Sequence, residues 1–210
     1  MAIEGSEQGD AESPAPEAER ASDAVEHVPG EKRSHVASDM FRATEPAEAV
    51  PPEAVDADRF FESGYDTVLQ SMVEWVVERE GPILDAVLAR RIARARTGFS
   101  GPASRIQERV EALARSRFQL TEEACGTFYW PDGLPPSSNV AFRRPANEES
   151  SRDVEEVCEV ELTSLARAVL SRGCGRHDAL ISMARELGLQ RLREASRGRL
   201  EDALRRAQAS

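Results

Sequence analysis

Apolar residues recur at helical spacing through three successive stretches of this 210-residue chain, and at FQLTEEACGTFYW (residues 118–130) the period drops to two. That switch limits the possible folds more than any other feature. Phe118 and Leu120 on one run, and Phe128 and Trp130 on the other, flank the turn EEACG and predict a β-hairpin with these side chains in the core. Upstream, FFESGYDTVLQSMVEWVVEREG starts order near Phe60. It sets Val68, Met72, Trp75 and Val76 on one helical face until Gly81-Pro82 breaks it. In ILDAVLARRIARAR, the residues Leu84, Val87, Leu88, Ile92 and Ala95 share a face, and Gly98 is expected to end the helix. A third helix follows, with Ser100 as a cap, Pro102 in its first turn, and Ala103, Ile106, Val110, Leu113 and Ala114 as its apolar face.

Three helices and then a hairpin is the element order of a winged helix, the helix-turn-helix variant whose third helix enters the major groove. PDGLPPSSNVAFRRPANEESSRD reads as a connector with one short strand near Val140–Phe142. EVELTSLARAVLSRG, RHDALISMARELG and ASRGRLEDALRRAQ then read as three more helices. The pairs LDAVLARRIARARTG with HDALISMARELG, and SRIQERVEAL with SRGRLEDAL, suggest a weak repeat of the second and third helices. The expected fold is mainly α with a small β-hairpin: a winged helix-turn-helix followed by a second helical, helix-turn-helix-like unit. The expected division is a tail over 1–58, a winged helix over 59–131, a connector over 132–152, and the second three-helix unit over 153–210.

Charge follows this division. Residues 1–58 hold 15 acidic and 4 basic side chains, whereas residues 59–210 hold 23 of each. The tail is rich in Glu, Ala, Pro and Ser and poor in large apolar residues, so it is expected to stay disordered. Within the balanced remainder, eight arginines lie between Leu88 and Arg117, and residues 81–117 carry a local net charge of +5. Arg90 and Arg94, four apart on one helix, repel each other unless an anion lies between them. A phosphate backbone is such an anion. Dipole attraction at the helix C-terminus is the alternative reason for Arg94 and Arg96. On the third helix Arg105, Gln107 and Arg109 are within reach of phosphates or bases, but Glu108 and Glu111 share its outer face. Glu122 and Glu123 at the hairpin tip argue against a wing that grips DNA. Arg143 and Arg144 are placed to extend the basic surface from the connector; a plainly solvated pair is the alternative. Arginine is this chain's default cation, 26 against the single Lys32, so its abundance alone does not indicate phosphate.

EREGPILDAVLARRIARA, SRIQERVEAL, GTFYWP, FRR, VELTSLARAVL and LISMARELGLQRL run in the order of a known family. Over residues 65–207 the chain resembles the family catalogued as domain of unknown function 3320. The resemblance implies a module of large bacterial proteins that carry a superfamily 1 helicase core and often an endonuclease-like domain. The family tends to place an arginine after the glycine that ends helix two. GFSGPAS has none, whereas GLQRLRE offers Arg191 at the corresponding place in the second copy. No GxxxxGK[ST] occurs, so the chain is not itself a P-loop ATPase.

Catalysis has little support. His27 and His35 lie in the tail, and His177 opens a helix and is expected to cap it. One lysine cannot supply a nuclease Asp…Glu-x-Lys pattern. Cys125, Cys158 and Cys174 form no CxxC, and Cys174 with His177 lacks a second ligand pair, so no metal or other cofactor is expected. With no signal peptide in residues 1–30 and no run of about 20 apolar residues, a cytoplasmic location is expected. The expected function is non-catalytic: double-stranded DNA binding through Arg90, Arg94, Arg96, Arg105, Gln107, Arg109, Arg143, Arg144 and Arg191, as an accessory to a helicase or nuclease. A module binding an acidic surface of a larger protein, and a transcriptional regulator, are the alternatives. No small-molecule substrate is expected.

Overall fold

A computed structural model describes residues 26–27, 40–50, 54, 56, 59–95 and 103–209, and these are mainly helical. Along the chain come β1 (Glu26–His27), β2 (Met40–Phe41), α1 (Asp66–Glu80), β3 (Ile83–Leu84), α2 (Asp85–Arg94) and α3 (Ala103–Arg117). Then follow β4 (Gln119–Glu123), β5 (Gly126–Trp130), β6 (Arg144–Pro145), α4 (Glu159–Leu170), α5 (Arg176–Glu186), β7 (Arg191–Leu192) and α6 (Glu194–Ala209).

The predicted hairpin is present, with Leu120 opposite Tyr129 and Thr121 opposite Phe128. Its turn needs Gly126, whose φ of +140° excludes most side chains; a Cβ there would lie 2.9 Å from Asp85 Oδ1. Helix two starts one residue later than its apolar face suggests. Ile83 and Leu84 are extended and pair antiparallel with Tyr129 and Phe128, giving a three-stranded sheet in the order β3-β5-β4. β5 is therefore central, and Thr127 to Trp130 are all buried rather than alternating. The Asp85 carboxylate fixes this corner by accepting from Ala86 N at 2.6 Å and Thr127 N at 3.1 Å.

α1, α2, α3 and the sheet enclose one core, built on Phe60, Tyr65, Leu69, Leu88, Val110 and Trp130. α4, α5 and α6 enclose a second, built on Leu162, Leu165, Met183, Leu200 and Leu204. The connector passes from one to the other: Val140 belongs to the first core and Phe142 to the second. No strand forms at Val140–Phe142; the connector strand is β6, two residues later, and it pairs parallel with β2. His177 is not a cap, because Gly175 stands at that position of α5. Gly98, Ser100 and Pro102 lie outside the described residues.

The tail expected over 1–58 also lies mostly outside them, but residues 40–50 lie against the fold, with Phe41 and Pro46 buried. Phe41 is buried beneath the guanidinium of Arg152, 4.2 Å from its ring centroid. Thr44 donates from N and Oγ1 to Glu80 Oε1 at 2.7 and 2.8 Å. One buried aromatic ring and one buried carboxylate order a segment whose composition predicts disorder.

Candidate functional site

The predicted surface assumed that guanidinium groups of α2 and α3 line up outside without acidic partners. Most of them do not. Arg90 Nη2 lies 2.5 Å from Glu156 Oε1, and Arg91 Nε lies 3.1 Å from Glu80 Oε2, a carboxylate buried at the end of α1. Arg109 is the most committed: it reaches Asp66 Oδ1 at 2.5 Å, donates to Glu62 O at 2.7 Å, and also donates to Phe60 O. Those bonds hold the entry to α1, so Arg109 is a structural clamp. Gln107 donates to Glu111 at 2.7 Å within α3. Beyond the predicted set, Arg115 and Arg117 face Glu122, Glu74 and Asp132.

The connector arginines turn inward for the same reason. Arg143 and Arg152 both grip Glu161, which is completely buried on α4, at 2.9 and 2.7 Å. Arg143 also donates to the carbonyls of Glu80 and Gly81, at 2.8 and 2.9 Å, and so ties the end of α1 to α4. Burial pushes the Glu161 carboxyl up, but the Arg152 and Arg143 guanidiniums outweigh it and hold the group at about 2. Arg144 lies 2.5 Å from Glu186 on α5. In a low-dielectric setting a guanidinium close to a carboxylate stays with it, and phosphate would have to displace that partner.

The hairpin tip differs from expectation too. Glu122 is exposed, but Glu123 is folded inward between α4 and α6. Its Oε1 accepts from Glu159 N at 2.8 Å, at the first turn of α4, and its Oε2 lies 2.9 Å from Arg199 Nη2. Burial pushes this carboxyl up; the Glu159 N–H and Arg199 pull it back only in part. The tip is thus a joint between the two units.

Three predicted arginines remain outward. Arg94, Arg105 and Arg191 are exposed, with no carboxylate within 4 Å among the described residues. Arg96 lies outside those residues. Arg94 ends α2, Arg105 begins α3, and Arg191 sits on β7, so the three come from three separate elements. Arg105 lies over the ring of Phe61, 4.4 Å from its centroid, and Phe61 is 39% exposed. The sequence holds no local sign of this pair: Phe61 and Arg105 belong to separate segments, and Phe61 packs edge-on against the buried Phe60, ring centroids 5.1 Å apart.

Residues 58–108 match the family model described as a protein of unknown function (DUF3320). The match supports that family for the segment from the approach to α1 into α3; it overlaps the stretch of resemblance, residues 65–207, over 65–108. It includes Glu80, Arg91, Phe61 and Arg105, and stops one residue before Arg109. No curated protein and no solved structure matches the chain. No helix of the described residues is long and apolar enough to cross a membrane. Among the described residues no group of three or more His, Cys, Asp or Glu is placed to hold a metal ion.

Proposed function

We propose that residues 59–131 form a winged helix that docks on another protein, with the second unit as its brace. The order of α1, β3, α2, α3 and the hairpin, with β5 between β3 and β4, supports the winged-helix reading. The observation that favours protein over DNA is the outer face of α3. Arg105 and Arg115 share it with Glu108 and Glu111, so the face has no surplus of positive charge, and its prominent feature is Phe61 stacked with Arg105. Aromatic residues, phenylalanine included, and arginine are enriched at protein interfaces. A duplex groove calls instead for surplus positive charge and a free wing, and Glu123 holds the tip against α4 and α6. An acidic surface on a larger DNA-processing protein, the helicase or nuclease that the family resemblance implies, is the partner we propose.

The test is photo-crosslinking. A benzophenone side chain at position 61 should give one protein adduct in the host cell, and Arg105→Glu should remove it. A nucleic-acid adduct, or a protein adduct indifferent to Arg105→Glu, refutes the reading.

DNA binding is the second reading. It is favoured by the winged-helix element order and by Arg94 and Arg105 remaining outward. Under it, fluorescence anisotropy with duplex DNA shows affinity that falls steeply between 50 and 200 mM salt. Under the protein-docking reading no saturable binding is seen.

A further inference from the structure

A cavity of about 580 Å³ opens between the end of α2, residues 42–46 and residues 146–150. Arg42, Arg91 and Arg94 line it against one acid, Glu45. Arg42 and Arg94 are exposed, and neither has a carboxylate within 4 Å among the described residues. Dipole attraction accounts for cations in the last turn of α2, but Arg42 belongs to another segment, brought here by the β2–β6 pairing and by Thr44 on Glu80. Arg91 is held by Glu80 through Nε, which fixes its guanidinium at the cavity wall. Asn147 accepts Ser150 N at 2.9 Å through Oδ1, which leaves its amide NH₂ as a donor.

We infer that this cavity binds a small phosphorylated ligand, with Arg42 and Arg94 gripping the phosphoryl group. Several features point to a phosphoryl oxyanion. Guanidiniums from separate segments converge on one space, Arg91 is met by Glu80 while Arg42 and Arg94 have no carboxylate within 4 Å among the described residues, and the remaining wall groups include neutral hydrogen-bonding side chains. The volume falls within the range of small-molecule sites, about 300–1,000 Å³. Only part of that space is needed for the phosphoryl group, so the ligand carries an organic body. This inference is independent of the docking surface at Phe61, which lies on other residues.

Calorimetry on the full chain with pyrophosphate and with AMP tests it. Both should bind saturably, AMP the more tightly. The double variant Arg42→Gln, Arg94→Gln should weaken binding at least ten-fold, with its unfolding midpoint unchanged because both side chains are exposed. Arg94→Gln alone should weaken it less. Arg191→Gln is the control, an outward arginine far along the chain, and should leave binding intact. No saturable binding by wild type overturns the inference, as does an equal loss in Arg191→Gln, which would mean general surface charge. A 12-base-pair duplex that binds more tightly than AMP, and is lost in the same double variant, also overturns it in favour of a nucleic-acid backbone.

Discussion

Glu161→Gln should be among the most damaging conservative changes in this protein. The Glu161 carboxylate accepts from Arg143 N at 2.9 Å, Nε at 3.3 Å and Nη2 at 2.9 Å, and from Arg152 Nη1 and Nη2 at 3.0 and 2.7 Å. A glutamine offers one carbonyl oxygen to these donors and turns an NH₂ toward the rest. Two largely buried guanidiniums then lose their counter-charge, and breaking a buried pair in this way costs about 3–5 kcal/mol. The titration leads to a similar figure. A carboxyl held at about 2 against an ordinary 4.5 corresponds to about 3 kcal/mol of stabilisation. Because the folded value lies below the unfolded one, this contribution is complete above about pH 5 and is lost as the pH falls toward 2. Urea unfolding of wild type and variant should therefore show the full gap at pH 7 and a closing gap between pH 5 and 2. The melting midpoint at pH 7 should drop by roughly 6–20 °C. A loss under about 1 kcal/mol at pH 7, or a gap that stays constant into acid, would refute the claim that charge pairing holds this joint.

Glu123→Gln should show the opposite pH trend: the folded carboxyl lies above its unfolded value, so wild type gains on the variant as the pH falls through that value. Denaturant midpoints at pH 7 and pH 4.5 report it, and a trend parallel to that of Glu161 would be the wrong sign. Phe41→Ala should cost about 3–4 kcal/mol in urea unfolding, because the ring is buried against Arg152; a loss near zero would mean that residues 40–50 do not pack in solution. Gly126→Ala should cost about 1–3 kcal/mol, since the new methyl meets both Asp85 and Leu84 at 2.9 Å, and an unchanged thermal midpoint would contradict this.

The helices were legible because each repeats its apolar period over ten or more residues, and the hairpin because two short apolar runs flank a turn that contains Gly126. β3 was not. Ile83 and Leu84 are apolar in either reading, and only their partner β5, more than 40 residues away, makes them a strand. The order of residues 40–50 was hidden for a related reason. Phe41 is one aromatic ring in an acidic, proline-rich stretch, and its burial depends on Arg152, which no local pattern connects to it. Pairing was the least legible layer. Arg91 meets a carboxylate 11 positions away, Arg90 one 66 away, and Arg199 one 76 away. Phe61 with Arg105, and Arg42 beside Arg94, belong to the same layer, because no local pattern connects either pair.

A local net charge counted along the chain is therefore a poor guide to a surface. The +5 counted over residues 81–117 takes in only Asp85, Glu108 and Glu111 as acids. In space the same block is also faced by Glu80, Glu156, Asp66, Glu74, Glu122 and Asp132, all from outside the stretch or across its fold. Five of the eight arginines meet one of these carboxylates, and the excess that seemed to demand a phosphate backbone is largely met inside the protein. Arginine suits that use, since its planar fork holds carboxylates and backbone carbonyls together, as Arg109 and Arg143 do. What remains available in the described part of the block is Arg105, stacked on an exposed ring, and Arg94, beside a polar cavity that Arg42 also lines. Within the described part of the block a partner has to be sought at those two places, one suited to a protein and one to a phosphoryl group, because there the guanidiniums have no carboxylate within 4 Å.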